Sequence, residues 1–365
     1  MQRMTRLTPL SAILALIESD VAMAAPKTIS VLAARDLSLA AHVVCTAQPP
    51  RAIALRDGFP VDSAAVADAG PYAPVPLPLK TRPIELGEPL PSGADAVLPL
   101  DAVALRGHRA EAVAAIAAGD GVLPAGGDIA ANTPLRQAGE RARAVDIAVM
   151  RAAGIKEVTV RQPKVHVVWG GDSRSPAIEA ALAMMMRVTG EAGGVVTGGS
   201  IALEGALGDP ETDAVIALGG TGSGRHDAAV DTLERHGRVA AHGIAVSPGA
   251  SAAFGFAGSK PVLLVPGRLD AALAVWLLIG RHLVAKLAGS GVADLPMQVP
   301  LKRKVTSTIG LAELIPVRCA GGMAEPLASG YLSFISLARS DGWIVVPADS
   351  EGFPAGTHVA VRPWP

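Results

Sequence analysis

Ala214-Val215-Ile216-Ala217-Leu218-Gly219-Gly220-Thr221-Gly222-Ser223-Gly224-Arg225-His226-Asp227 is the stretch from which the fold is read. The apolar run Ala214 to Leu218 is too short for a helix and suits a strand buried on both faces. Glycines end it, and a helix is expected from about Asp227 to His236. The same order occurs on either side. Val165 to Trp169 stops at Gly170-Gly171, before a helix expected from Ser175 to Val188 with a Ser-Pro start. Lys260 to Val265 stops at Pro266-Gly267, before a long helix from Leu269 to Leu287. Strand, glycine turn and helix in repetition predict an open parallel α/β domain, with its ligand outside the carboxyl ends of the strands.

The texture changes on both flanks. Residues 45–127 carry Pro71, Pro74, Pro76, Pro78, Pro83, Pro89 and Pro91 between short apolar runs such as Ala96 to Leu100. Proline denies a helix its hydrogen bond, so this stretch is expected to be a β-rich lobe of short strands and turns. From Val299 onward, Val305 to Ile309, Ile315 to Arg318, Ile344 to Pro347 and His358 to Val361 predict a small C-terminal β domain. Four parts are expected: residues 1–44 with 128–162 as a helical and linker domain, 45–127 as the β-rich lobe, 163–292 as the α/β domain and 293–365 as the β tail.

Composition narrows the function. The 365 residues exceed one ordinary domain, and 50% hydrophobic residues with 18% charged supply real cores rather than a disordered chain. A net charge of -1 gives no general positive field for nucleic acid, and 3% aromatic residues make base-stacking platforms improbable. Cys45 and Cys319 lie far apart without metal-ligand spacing and are expected to be two small buried hydrophobes. At the amino terminus, Arg3 and Arg6 precede Leu10 to Ile17, and Ala22-Met23-Ala24 resembles a cleavage site. Glu18 and Asp20 oppose a secretory signal. Thr8 as cap, Pro9 in the first turn and Leu10, Ile13, Leu14 and Ile17 on one face predict a cytoplasmic amphipathic helix. No run is long enough for a membrane span; the most apolar, Ala271 to Ile279, is about half of one.

The glycine run after Leu218 carries the strongest chemical signal. Glycines let backbone N–H groups converge on a phosphate, and a following helix adds its partial positive charge. Thr221 and Ser223 add hydroxyls. The spacing is neither the dinucleotide fingerprint nor a P-loop, and the plain alternative is a strand-to-helix turn with Asp227 as helix cap. Asp57-Gly58 before Phe59 reads as a turn on its own. Ser247-Pro248-Gly249 and Val265-Pro266-Gly267-Arg268 are proline-glycine turns, the second bordering the same crevice.

Taken in order, these segments resemble the MoeA family of molybdopterin molybdenumtransferases, the molybdenum insertases. Asp57-Gly58-Phe59 is similar to its Asp-Gly-Tyr/Phe motif. Gly87-Glu88-Pro89-Leu90-Pro91-Ser92-Gly93-Ala94-Asp95-Ala96-Val97 resembles its Gly-x-Pro-Leu/Ile-Pro-x-Gly-Ala-Asp-x-Val signature. Arg136-Gln137-Ala138-Gly139-Glu140 is similar to its Arg-x-x-Gly-Glu stretch. Gly219 to Asp227 resembles its glycine loop, Pro248-Gly249 and Pro266-Gly267 its paired turns, and Ser336 to Gly342 its terminal β domain. The resemblance implies a three-layer, MogA/MoaB-like molybdopterin-binding α/β domain, a small C-terminal β-barrel and an elongated homodimer. It implies that adenylylated molybdopterin and molybdate are taken with a divalent cation, Mg²⁺, and that molybdenum cofactor and AMP are released, the cofactor passing to a downstream molybdoenzyme.

On this resemblance Asp57 and Asp227 are the functional carboxylates and candidate metal ligands. Gly219, Gly220, Thr221, Gly222, Ser223, Gly224, Pro248, Gly249, Pro266 and Gly267 hold the molybdopterin phosphate. The sequence also departs from the family pattern. Leu86 stands for a Thr, Arg141 for an acid, Ser173 after Gly171-Asp172 for a Glu, Ser247 and Ala250 for lysines, and Arg268-Leu269 for Asn-Pro. With those lysines gone, Arg174, Arg225 and Arg268, helped by Asp172, Ser173 and Ser247, are the candidates for anion binding, since a guanidinium can hold an oxyanion bidentately. Three readings follow: an insertase with a rebuilt anion site, a non-catalytic carrier or chaperone for molybdopterin or its cofactor, or a scaffold that retains the fold as a dimer module.

Overall fold

The computed structural model describes residues 6–171, 175–222, 224, 227–292 and 295–365. Ala214–Leu218 is a strand with every residue buried, inside a six-stranded sheet. Strand order across that sheet is Val195–Ala202, Lys164–Trp169, Ala214–Leu218, Lys260–Val265, Ala253–Ala257, Arg238–His242. The strands from Val195–Ala202 through Lys260–Val265 are parallel, as the repeats predict. Ala253–Ala257 and Arg238–His242 extend the sheet as an antiparallel edge.

Alternation along each strand sets the layers. Val165, Val167, Ile216, Leu218, Leu263 and Val265 share one core with the helix Pro176–Glu191 and the helical run that begins at Leu269. Val168, Val215, Ala217, Val262 and Leu264 share the opposite core with the helices Leu203–Gly208 and Ala229–His236. Fully burying a Val or Leu is worth about 1.5–3 kcal/mol, so these two layers hold the domain together. The long helix is interrupted: Leu269–Val275 passes through a π turn, Trp276–Gly280, into Arg281–Leu287. Gly280 is required there, because a Cβ would stand 2.4 Å from the Trp276 ring.

By its internal packing the chain divides into two units: residues 1–41, 138–147 and 157–365, and residues 42–137 with 148–156. In the first unit, the strand Pro26–Ser30 pairs with Glu157–Arg161, which also pairs with Ser38–Leu39. The helix Leu10–Asp20, expected to form one domain with residues 128–162, turns its buried face to the α/β domain instead. Its buried Ile13 and Ile17 join the α/β core, and Lys286 donates to Glu18 at 2.8 Å. Thr8 does not cap this helix; its backbone bonds to Gly243 and Ala245 instead, so Pro9 occupies the cap position.

The tail of this unit is a closed β module. Val246–Ser247, Ala312–Ala320, Gly342–Val346, His358–Pro363 and Met297–Pro300 follow one another in a sheet, with Met323–Pro326 on Ala312–Ala320. A bridge from Leu301 to Ala324 brings the ends round. Trp343 is buried between the guanidiniums of Arg281 and Arg362, whose carbons lie 5.0 and 5.3 Å from its ring centre.

The second unit is a proline-punctuated assembly of short pairs, among them Gly58–Val61 with Ala96–Pro99 and Val75–Pro76 with Arg109–Ala112. Phe59, Val61, Val66, Leu77, Leu98 and Ala112 form its core. Cys45 and Cys319 are free thiols as expected, but both are partly exposed rather than buried. Each sits at or just beyond a strand end, where packing is incomplete. Among the described residues no helix is long and apolar enough to cross a membrane.

Candidate functional site

The strands Lys164–Trp169, Ala214–Leu218 and Lys260–Val265 all end at one cleft of about 710 Å³. Backbone hydrogen bonds carry the pairing past their ends. Gly170 N donates to Leu218 O at 2.8 Å and Gly219 N to Val265 O at 2.7 Å. Gly219 and Gly220 take φ of +86° and +73°, a conformation open to glycine. A Cβ on Gly220 would lie 2.5 Å from Gly170 O, so the approach of the two segments that follow these strands has room for no side chain. The benzo ring of Trp169 fills the space where Cβ atoms of Gly171 and Gly219 would point, at 2.6 and 2.5 Å, and lines the cleft.

Asp227 is turned into the glycine loop. Its Oδ2 accepts from Gly224 N at 2.7 Å and stands 2.7 and 2.9 Å from where Cβ atoms of Gly222 and Gly224 would be. The helix begins at Ala229 with Ala228 before it and no side-chain cap, so capping is not what Asp227 does. One amide of the loop, that of Gly224, thus already holds an oxyanion, the loop's own carboxylate. Thr221 is buried, with its hydroxyl 3.1 Å from that of Ser251, and its carbonyl accepts from His242 Nε2 at 3.0 Å. Across the cleft, Ser175 caps Pro176–Glu191 by accepting from Ile178 N.

Among the described residues Arg268 supplies the cation of the cleft. It donates Nε to Asp270 Oδ1 at 3.1 Å and Nη2 to Oδ2 at 2.5 Å, while its guanidinium lies 4.9 Å from the Tyr331 ring centre. The bond to Asp270 holds its pKa above the usual arginine value, against the opposing effect of burial. Asp270 is buried and also accepts from Leu332 N at 3.2 Å. Glu313, buried too, accepts from Ser307 Oγ, Ser329 Oγ and Gly330 N at 2.5, 2.6 and 2.7 Å. These two acids fix the segment from Ser329 to Leu332 beside the cleft.

The expected residues are not all brought together. Gly219, Gly220, Thr221, Gly222, Asp227, Pro266, Gly267 and Arg268 line the cleft. Ser247, Pro248 and Gly249 are not among the residues lining it: Ser247 pairs with Glu313 in the sheet, and Gly249 is pressed against Val275. Ser251 lines it from that same turn. Asp172, Ser173, Arg174, Ser223 and Arg225 lie outside the described residues. Asp57 belongs to the other unit, where it is exposed and accepts from Leu86 N at 2.8 Å. That bond uses backbone, so Leu86 in place of a hydroxyl residue leaves it intact. Gly58 is obligatory beside it, since a Cβ would stand 2.0 Å from Leu98 O.

Sequence reading missed Trp169, Ser251, Asp270, Tyr331 and Phe334, all of which line the cleft. Asp270, two residues after Arg268, was the one with a readable signal; Tyr331 and Phe334 arrive from the tail module through tertiary structure. Among the described residues no group of three or more His, Cys, Asp or Glu could hold a metal ion.

Two family models match the chain: the MoeA N-terminal region (domain I and II) over residues 8–154, and the MoeA C-terminal region (domain IV) over residues 298–364. The chain belongs to the MoeA family. It is 25% identical to molybdopterin molybdenumtransferase 2 of Mycobacterium tuberculosis over 92% of this chain and 94% of that protein. It is 32% identical to a putative molybdopterin biosynthesis protein of Methanocaldococcus jannaschii over 155 residues, 41% of this chain and only 36% of that protein's length. A molybdopterin biosynthesis MoeA protein from Pyrococcus horikoshii superposes with a TM-score of 0.80 at 24% identity, covering 98% of this chain and 99% of that one. A second structure of a MoeA protein from that organism gives 0.75 at 21%, covering 98% and 100%.

Several MoeA-like signature residues prove to be architectural. Asp95 accepts from Ser63 N and Ser63 Oγ at 2.7 and 2.8 Å, and those bonds hold its pKa below the usual carboxylate value. Gly139 takes φ +85° and donates to Leu39 O, while Glu140 O accepts from Leu39 N. Arg141, where an acid was expected, donates to Glu191 O at 3.0 Å, and burial lowers its pKa.

Proposed function

We propose that this MoeA-family chain works in molybdenum cofactor biosynthesis by holding adenylylated molybdopterin in the glycine-loop cleft and inserting molybdate as AMP leaves. The observation that carries the reading is the Gly224 amide held on the Asp227 carboxylate, in the same cleft as a pinned arginine. Backbone amides and a guanidinium, fixed before the ligand arrives, stabilise oxyanions without reorganising. Arg268 takes the part of the missing lysines: it keeps its charge at every working pH and presents a planar fork to phosphate or molybdate. Its Asp270 partner consumes some of that capacity, while its side chain stays 61% exposed.

In this reading Asp57 and Asp227 are the functional carboxylates, and the working form is a homodimer that delivers its product to a molybdoenzyme. The residues fit magnesium only in part. Mg²⁺ commonly takes one or two carboxylates and draws its remaining ligands from water and substrate phosphates. Asp227 qualifies as the single carboxylate, so any Mg²⁺ would enter with the phosphates and neutralise their charge. Asp227 is half-buried and lines the cleft, where it orients the charged groups that part.

The test is product release. Purified chain supplied with adenylylated molybdopterin, molybdate and Mg²⁺ is expected to release AMP, quantified by chromatography, and Asp57→Ala is expected to stop that release while molybdopterin still binds. Binding without any release by the unaltered chain would describe a carrier and end the enzymatic reading.

A further inference from the structure

Aromatic residues make up 3% of this chain, yet Trp169, Tyr331 and Phe334 all border the one cleft described above. Tyr331 and Phe334 are 61% and 62% exposed, a costly placement for large apolar rings unless something covers them. They are not on a loose end. Glu313 takes the Gly330 amide, Asp270 takes the Leu332 amide, and Ser333 accepts from Ser336 N at the start of the short helix Phe334–Ala338. Two buried acids thus hold an exposed tyrosine in place, with the Arg268 guanidinium on its ring. Trp169 completes the set at the end of its strand. Its indole N–H is buried with no acceptor among the described residues, so the packing leaves its polar edge unused.

We propose that Trp169 and Tyr331, with Phe334, form a recognition surface for the fused nitrogen heterocycle of the ligand, so that the C-terminal module completes the binding site. The inference rests on the functional reading above and deepens it. A ligand with a flat conjugated ring at one end and phosphate at the other meets matching chemistry: aromatic faces for the ring, glycine amides and Arg268 for the charge. Rings already fixed before binding lose little freedom on contact, which makes stacking effective. In this chain, stacking offsets attraction lost with the two lysine positions.

Trp169 supplies its own probe. The full chain is titrated separately with a free pterin and with AMP while tryptophan fluorescence is followed, which distinguishes the two heterocycles the surface would accept. One of them is expected to quench saturably, and the quench is expected to vanish in Trp169→Phe although Trp276, Trp343 and Trp364 remain. Tyr331→Ala is expected to weaken that affinity about tenfold, within the range of single stacking contacts, and Tyr331→Phe to restore it. Tyr331 is well exposed, so loss of the ring leaves the fold intact. Inorganic pyrophosphate, which has no ring, is expected to lose much less affinity than the heterocycle in Tyr331→Ala, the small loss reporting only the ring's contact with Arg268. If neither heterocycle quenches, or if the quench and affinity survive in both variants, the proposal is overturned. Continued AMP release by the unaltered chain would then show that the functional reading survives without it; absence of both binding and release would remove both.

Discussion

Asp227→Asn is expected to lower AMP release from adenylylated molybdopterin by about two to three orders of magnitude, the scale seen when one preorganised electrostatic group is removed from an active site. The substitution is chosen to separate charge from shape. Asparagine keeps an oxygen that can accept from Gly224 N, so the loop retains its closing bond. The side chain is half-buried and caps no helix, so little stability depends on its charge. Release measured by chromatography should fall while the thermal unfolding midpoint stays near that of the unaltered chain. Release within about threefold of normal would reduce Asp227 to a staple of its loop.

Gly220→Ala is expected to destabilise the chain by roughly 3 kcal/mol and to abolish molybdopterin binding. The left-handed conformation costs a non-glycine residue about 1–2 kcal/mol, and overpacking adds about 1–3 kcal/mol. The collision here is with backbone: the new Cβ would meet Gly170 O at 2.5 Å and Ala229 Cβ at 2.9 Å. Neither can swing aside without parting the two strand ends that shape the cleft. Gly222→Ala is the informative contrast. The nearest atoms its Cβ would meet belong to the Asp227 carboxylate, at 2.7 Å, the far end of a side chain that can move. Urea unfolding should therefore show a large loss for Gly220→Ala and a small one for Gly222→Ala. Equal small losses would show the approach of Gly170 and Gly220 to be looser than its glycines imply.

Much of this architecture was legible because the buried strands are uninterrupted apolar runs closed by glycine or proline. Val165 to Trp169, Ala214 to Leu218 and Lys260 to Val265 carry a single physical signal each. Val195–Ala202 was not legible, since Gly198 and Gly199 break its pattern and its register slips against Lys164–Trp169. Arg238–His242 hid for a similar reason, with polar ends and a register shift of its own. The N-terminal helix was readable as a helix, but its partner was not: an Ile13 and Ile17 stripe says only that something apolar covers it.

The site divides the same way. Its backbone elements, the glycine loop and the Pro266-Gly267 turn, announce themselves because only glycine allows those close approaches. The side chains that shape its other wall do not. Asp270 and Glu313 are buried acids whose roles depend on amides donated by Leu332 and Gly330, more than sixty and seventeen positions away. Pairings at such separations are made by the folded chain, so no local pattern carries them.

Calorimetric titration of the full chain with molybdopterin tests the cleft most directly. A single saturable site is expected, weakened about tenfold or more by Arg268→Ala, less sensitive to salt in that variant, and lost in Gly220→Ala. Absence of binding, or an affinity unchanged by both substitutions, would contradict the glycine-loop cleft as the place where the ligand is held.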